Sequence, residues 1–126
     1  MSEPVRRFGA DDLTPADPTP GMRRELAFAA RGLWAGLVHT EPAAASGWHH
    51  HGDHETSLYV VRGVMRVEFG PGGAEAAEAH VGEFLHVPAH TVHRELNPGT
   101  ETSTAVIARA GDAGPPTINV DAPEPA

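Results

Sequence analysis

Histidine is the residue type whose number and spacing in this sequence indicate chemistry. Nine of the 126 residues are histidine, and the sequence contains no cysteine. His49 and His51 lie two positions apart in a segment typical of extended chain. Because residues i and i+2 of a strand point to the same side, these two imidazoles face one way, about 7 Å apart, and His50 faces the other. This spacing indicates two ligands of one metal ion, and without thiolates the other ligands must be nitrogen or oxygen atoms.

The rest of such a site must come from other parts of the chain. We expect a third ligand beyond the turn at Gly52 and Asp53, and a fourth from a more distant segment. Residues 82–97 form the second histidine-rich segment, in which one strand ends at Pro88 and another begins with His93. Imidazole ligands suit Fe, Zn, Ni, Mn or Cu. We therefore predict one divalent transition metal ion, whose identity the sequence leaves open.

Three further residues are candidates for proton transfer beside the metal ion. Imidazole titrates near pH ~6.5, so at neutral pH it can both take up and release a proton. His86 and His90 lie in the second segment, and Glu55 belongs to the first. We predict catalytic roles for these three side chains, next to an ion that would polarise a substrate oxygen or lower the pKa of a bound water.

The elements that must position these residues are short strands. The sequence has 14 Gly and 12 Pro, which separate short alternating runs and favour an all-β sandwich or barrel. We predict strands at residues 25–30, 33–40, 55–61, 64–69, 74–81, 84–87, 91–96 and 102–110. Residues 1–20 are expected to form a flexible arm, residues 21–110 the barrel, and residues 111–126 a Pro-rich acidic tail with one short edge strand at 117–120.

Charge and hydropathy exclude several classes of partner. The formal net charge is -8, which argues against binding to nucleic acid and to anionic membrane surfaces. No apolar run approaches the roughly 20 residues of a transmembrane helix. The first residues lack the apolar stretch of a signal peptide, so we expect a cytoplasmic protein. Arg66 and Arg94 are expected to be surface charges, which leaves no arginine assigned to an anion site.

The two histidine segments together resemble the paired motifs of the cupin superfamily. The first family motif places His-x-His, a glutamate and a glycine at set distances, and His49, His51 and Gly63 match it when counted back from the glycine. The second motif is matched at its full spacing by four residues, Gly82, Pro88, His93 and Asn97. The resemblance covers roughly half the chain. It implies a double-stranded β-helix, that is, a jelly-roll barrel, with a metal ion inside.

The sequence departs from the family pattern at the carboxylate of the first motif. The spacing that aligns the two motif histidines places Thr56 at that position. His54 lies two residues earlier and so on the same face of the strand. We therefore predict a ligand set of four imidazoles, His49, His51, His54 and His93. Glu55 is the alternative third ligand, because a motif gap of three residues reaches it.

The mouth of such a barrel is expected to form the substrate pocket. Strand parity predicts a mainly apolar lining of Val38 or Leu37, Thr56, Leu58, Met65, Phe84 or Leu85, and Ile107. Since small cupins with a His-rich site are often oxygenases, the resemblance implies a dioxygenase-type oxidoreductase that acts on a small organic molecule. The missing carboxylate ligand motivates a first alternative, a Zn- or Ni-dependent isomerase, cyclase or lyase. A second alternative is a non-catalytic module that binds a small molecule or a metal.

The resemblance also predicts the assembly. Cupins commonly dimerise, often through an N-terminal strand that joins the neighbour's sheet. We therefore expect a homodimer in which residues 22–30 lie against the partner's sheet, with a small-molecule substrate as the other partner.

Overall fold

The structure is a computed structural model that describes residues 3–16, 18–111 and 117–126. Within these ranges the chain forms eleven strands and two 3-10 turns, the latter at Ala10–Asp12 and Pro71–Gly73. The strands are β1 (Thr14–Pro15), β2 (Met22–Ala30), β3 (Leu33–Thr40), β4 (His49–His50), β5 (Glu55–Arg62), β6 (Val64–Phe69), β7 (Glu75–His80), β8 (Phe84–Val87), β9 (His93–Leu96), β10 (Ser103–Ala110) and β11 (Ile118–Asn119). None of the described helices has the length and apolar character needed to cross a bilayer.

The strands form two antiparallel sheets that pack around one core. One sheet has the order β1-β2-β3-β10-β5-β8, and the other has the order β11-β4-β9-β6-β7. Strands distant in sequence are neighbours in both sheets, as when β10 pairs with β3 on one side and β5 on the other. This arrangement confirms the predicted all-β jelly roll. It also makes β4 and β9, which carry His49 and His93, neighbours in the second sheet.

Glycine and proline mark the strand ends, as the sequence predicted. The bounds of β3, β6 and β8 agree with the predicted ranges, and the other predicted strands differ by a few residues at their ends. The Ala- and Glu-rich segment between Gly73 and Gly82 is strand β7, which pairs with β6 over six residues. Gly63 and Gly82, two of the motif glycines, have φ values of 73° and 87° and form tight turns. A side chain would be strained at either position.

The core lies between the sheets and consists of inward-facing alternate residues. Leu58 on β5, Met65 on β6 and Ile107 on β10 are each at most 2% exposed. The predicted pocket lining is therefore wrong: five of the residues named for it, Val38, Leu58, Met65, Leu85 and Ile107, are packed in the core. Their side chains point inward between the two sheets, where side chains from the facing sheet fill the space. Phe84 instead lies outside the core at 70% exposure, with its ring 4.6 Å from that of Tyr59.

Both predicted tails contribute strands to the sheets. None of the described residues in 3–20 is buried, yet β1 pairs with β2 at the edge of the larger sheet. The predicted edge strand in the tail is β11, which pairs with β4 and places Asn119 opposite His49. The parts of the arm and tail at 1–2, 17 and 112–116 lie outside the described residues. Strand β2 pairs with β1 and β3 of its own chain, and the homodimer stays a prediction.

Candidate metal centre

Four buried side chains bring their ligand atoms to one point between β4 and β9. One nitrogen each from His49, His51 and His93 and one carboxylate oxygen of Glu95 all lie within 4.8 Å of one another. The three ring centroids are 4.4 to 5.1 Å apart. His93 is 0% exposed, and the other three residues are at most 5% exposed. The group is thus a compact, buried cluster of three imidazoles and one carboxylate.

Strand pairing explains how two distant segments meet. Strands β4 and β9 are antiparallel neighbours, and His49 lies directly opposite His93. Residues opposite each other in a sheet have neighbouring side chains on the same face. The spacing of two then adds His51 along the first segment and Glu95 along the second. The spacing of two residues that places His49 and His51 on one face therefore also places Glu95 on the same face as His93.

Hydrogen bonds to the backbone fix the orientation of two imidazoles. His49 Nδ1 donates to the Gly47 carbonyl oxygen at 2.8 Å, and His93 Nδ1 donates to the Thr91 carbonyl oxygen at 2.8 Å. A carbonyl oxygen only accepts, so Nδ1 carries the hydrogen and the neutral ring keeps its lone pair on Nε2. This hydrogen-bonded arrangement is typical of metal-binding histidines.

The donor atoms fit a metal ion. Nε2 of His49 and of His93 are completely buried, and neither makes a hydrogen bond to any described residue. A buried polar atom without a partner is costly unless something outside the protein chain satisfies it. Three borderline-soft nitrogens and one oxygen are a donor set that suits Mn, Fe, Co, Ni or Zn. The cluster therefore meets the chemical requirements for one divalent transition metal ion.

Glu95 is held as an anion. Burial alone would raise the pKa of its carboxyl group, but the close side-chain contact with His93, and then the nearby His49 and Arg24, outweigh burial and hold the pKa far below its usual range. Oε1 lies 3.4 Å from Nε2 of His93, and Oε2 lies 3.8 Å from a terminal nitrogen of Arg24. The main-chain nitrogen of the same residue donates to Ser46 Oγ at 2.9 Å, which anchors the strand at this point.

His49 is biased towards its neutral form. Burial lowers the pKa of its imidazole below the ordinary value of 6.5, and the nearby carboxylate of Glu95 only partly opposes this effect. A metal ion binds the neutral ring, so the shift favours metal binding at mildly acidic pH.

His54 lies outside the cluster, contrary to the expected set of four imidazoles. It is buried, and its Nδ1 donates to the carbonyl oxygen of His51 at 2.8 Å, which closes the turn between β4 and β5. Thr56, at the family's carboxylate position, faces Arg109 and accepts a hydrogen bond from its Nε at 3.2 Å. The carboxylate is supplied instead by Glu95, two residues after His93, which the sequence reasoning missed because it searched only the first motif.

The three predicted catalytic residues form hydrogen-bonded His–carboxylate pairs on the outer surface. His86 Nε2 donates to Glu55 Oε1 at 2.6 Å, and the side chains are 65% and 51% exposed. His90 Nε2 donates to Asp53 Oδ1 at 2.6 Å, and both side chains are about two-thirds exposed. Glu55 also accepts the Ala89 N–H at 2.6 Å and is therefore not a member of the cluster. The Asp53–His90 pair joins the β4–β5 turn to the β8–β9 turn, and the Glu55–His86 pair joins β5 to β8. The structure brings neither pair to the candidate centre.

A cavity of about 410 Å³ lies beside His49. Strands β2, β3 and β10 form its wall through Arg24, Trp34 and Arg109. The cavity is also lined by Leu26, Ser46 and Gly47, and by residues from both terminal segments, namely Pro15, Ala16, Pro18, Thr19, Thr117 and Asn119. A volume of this size suits a small organic molecule. The segments predicted as an arm and a tail thus enclose the cavity next to the metal ligands.

Comparison with known proteins agrees with this architecture. The sequence profile of the cupin domain family matches residues 36–108, which is more than half of the chain. No curated protein sequence matches the chain.

Solved structures share the fold at low sequence identity. KdgF from Halomonas sp. is 23% identical, with a TM-score of 0.70, and the match covers 86% of this chain and 96% of that one. The cupin domain of Schizosaccharomyces pombe Cnp3 is 16% identical, with a TM-score of 0.73 and coverage of 88% and 77%. A variant of the oxalate decarboxylase OxdC from Bacillus subtilis is 20% identical, with a TM-score of 0.69, and the match covers 85% of this chain and 30% of that one. At these identities the likeness concerns the fold alone.

Proposed function

We propose, since the chain belongs to the cupin family, that it is a metal-dependent enzyme of the oxygenase type that acts on a small organic molecule. The observation that carries this proposal is the convergence of His49, His51, His93 and Glu95 beside a cavity of about 410 Å³. A purely structural metal site is usually closed by its protein ligands, whereas a catalytic site keeps a position open to substrate. His49 is both a member of the cluster and part of the cavity wall, which provides that access.

Each part of the site has a defined task in this proposal. The Nε2 atoms of the three histidines and the carboxylate of Glu95 would hold the ion. When bound, the ion supplies Lewis acidity and, if it is redox-active, one-electron chemistry. Trp34 and Leu26 provide apolar wall beside the centre, which orients a substrate and limits the access of water. The chain ends at the rim reduce the opening further.

The anionic ligand favours redox chemistry over Lewis-acid chemistry alone. The case for a Zn or Ni isomerase, cyclase or lyase rested on four neutral imidazoles, which would leave the ion its full charge of 2+. Glu95 removes one unit of that charge, and a lower net charge at a metal centre stabilises its more oxidised state. This effect supports an Fe- or Mn-dependent reaction with O₂ as co-substrate.

Oxygen consumption tests the proposal. The full chain would be loaded anaerobically with Fe(II) and exposed to O₂ together with phenols, diketones and thiols. We expect O₂ uptake that depends on one of these compounds, is lost in His93→Ala, and persists in His80→Ala, a control on the exposed end of β7. Turnover by the Zn(II)- or Ni(II)-loaded chain without O₂ uptake would move the assignment to a non-redox enzyme. An oxalate decarboxylase variant among the structures of the same fold favours including decarboxylation in that second assay.

A further inference from the structure

Arg109 is a buried arginine whose charge the described residues leave without an ion pair. Its residue exposure is 6%, yet it lines the cavity beside the candidate centre. Nε donates to Thr56 Oγ1 at 3.2 Å, and Cζ lies 5.5 Å from the ring centre of Trp34. Burial lowers the pKa of the guanidinium group, whereas Glu95 raises it, and an arginine remains charged at neutral pH in either case.

Strand register places Arg109 between two cross-strand neighbours. Arg109 on β10 lies opposite Trp34 on β3 and opposite Thr56 on β5, so the three side chains form a row across the sheet. Because Nε is bonded to the threonine, the two terminal nitrogens remain as donors. These nitrogens have no hydrogen-bond partner among the described residues and are not sealed from solvent. The terminal nitrogens of this cavity-lining guanidinium are therefore the donors that remain for a bound molecule.

The charge around the cavity favours an anion. Arg24 and Arg109 both line it, and no acidic side chain is found among the described residues of its wall. The nearest carboxylate is that of Glu95, which is directed towards the imidazoles and Arg24. A bound divalent ion would add further positive charge. The cavity is thus a local positive region in a chain whose formal net charge is -8, and such a concave positive site concentrates anions.

We infer that this cavity binds a small organic carboxylate, whose two oxygens accept hydrogen bonds from the terminal nitrogens of Arg109. The inference rests on the proposed metal-dependent function and names its substrate class. A guanidinium edge matches the two coplanar oxygens of a carboxylate. A phosphate monoester carries more charge and a third oxygen, for which Arg109 offers no further donor, and the second arginine of the wall, Arg24, is already engaged with Thr19 and Glu95. The carboxylate end would lie at Arg109, and the reacting part of the molecule would lie towards His49.

Direct binding measurements test this assignment without turnover. The full chain, both metal-free and loaded with Zn(II), would be titrated calorimetrically with benzoate, 2-hydroxybenzoate and malonate. The uncharged amides of the same three compounds and phenyl phosphate serve as matched probes. We expect at least one carboxylate to bind about tenfold more tightly than its amide and than phenyl phosphate, because a charge-assisted hydrogen bond is lost in the amide.

Variants locate the contact. Arg109→Met is expected to weaken carboxylate binding about ten- to a hundredfold, with amide binding and Zn content unchanged, and Arg109→Lys to weaken it less. Arg62→Met is the control, because this residue is exposed on β5 and pairs with Glu101. Should Arg109→Met fail to fold by circular dichroism, the lysine variant and the wild-type preference for carboxylate over amide decide the question.

The possible failures are distinguishable. Equal affinity for carboxylates and amides, absence of binding by all three carboxylates, or tighter binding of phenyl phosphate would overturn the carboxylate assignment even if metal uptake is normal. Unchanged selectivity in Arg109→Met would do the same. Conversely, a chain that takes up no metal but still prefers carboxylates through Arg109 would refute the metal-dependent function and support the binding site.

Discussion

Replacement of Glu95 by glutamine removes one charge from the candidate centre and almost nothing else. The amide has nearly the same shape, and the main-chain hydrogen bond to Ser46 does not involve the side chain. In the wild type, Oε1 lies 3.4 Å from Nε2 of His93 and 3.9 Å from Nε2 of His49, while Oε2 lies 3.8 Å from Arg24. The variant therefore isolates the contribution of the anion to metal binding.

The expected loss can be worked out from these distances. Two unit charges about 4 Å apart at an effective dielectric constant of about 20 interact with about 4 kcal/mol, and the charge of a divalent ion doubles this to about 8 kcal/mol. Because Arg24 cancels part of the carboxylate charge, the carboxylate must give up hydration, and the amide oxygen of glutamine can still bind the ion, we take about 2.7 kcal/mol as the net loss, or about a hundredfold in affinity. At a metal concentration of about 100 times the wild-type Kd, metal stabilises the wild type by about 2.7 kcal/mol and Glu95→Gln by only about 0.4 kcal/mol. For a chain of this length, that corresponds to metal-induced Tm increases of about 10 °C and about 1–2 °C.

Thermal unfolding with and without Zn(II), followed by circular dichroism, measures this difference. Glu101→Gln is the matched control, since that carboxylate is 58% exposed and pairs with Arg62 at the surface. The control should keep the full metal-induced increase in Tm. An increase in Glu95→Gln equal to that of the wild type would refute the placement of Glu95 among the ligands.

Three further outcomes follow from the same structure. Asn97→Ala should lower the free energy of unfolding, measured by urea titration, by about 2–4 kcal/mol. The buried amide donates to the carbonyl oxygens of Thr40 at 2.9 Å and Glu101 at 2.8 Å, and it accepts the Gly99 N–H at 2.9 Å. A loss below about 0.5 kcal/mol would contradict this role. Deletion of residues 117–126 removes β11, which pairs with β4, and should weaken Zn(II) binding in calorimetry while leaving a folded barrel. The pKa of Glu55 lies below its ordinary value of 4.5, first because the Ala89 N–H and then because His86 bonds the carboxylate. A lowered pKa stabilises the fold above pH 4.5 and less as the pH falls through the lowered value. Glu55→Gln should therefore lower the Tm slightly at pH 6 and by less at pH 3; an equal difference at both pH values would exclude this origin.

Much of the fold could be predicted from the sequence because it depends on local signals. Glycines such as Gly63 and Gly82 occupy positions with positive φ, which few other residues adopt without strain. They and the prolines divide the chain into runs whose length and alternation indicate strands. The motif spacing also predicted correctly that His49, His51 and His93 lie together. Residues two positions apart in a strand share a face, and the pairing of β4 with β9 brings the two motifs together.

The parts that could not be predicted depend on tertiary contacts. Glu95 lies two residues after His93, just as His51 lies two residues after His49, and this spacing could have identified it. The family pattern instead places the carboxylate ligand in the first motif. Arg24 and Arg109 come from strands far apart in sequence, and no local pattern marks them as neighbours of one cavity. Their approach follows from the order of β2, β3 and β10 in the sheet, which a single sequence does not specify.

Elemental analysis of the chain, purified without added metal, tests most directly whether three imidazoles and one carboxylate form a metal site. We expect close to one transition metal ion per chain in the wild type and loss of that ion when His49 and His93 are both replaced by alanine, with the fold unchanged by circular dichroism. A chain that remains metal-free after incubation with Fe(II), Mn(II), Ni(II) and Zn(II), or a double variant that binds as much metal as the wild type, would contradict this expectation.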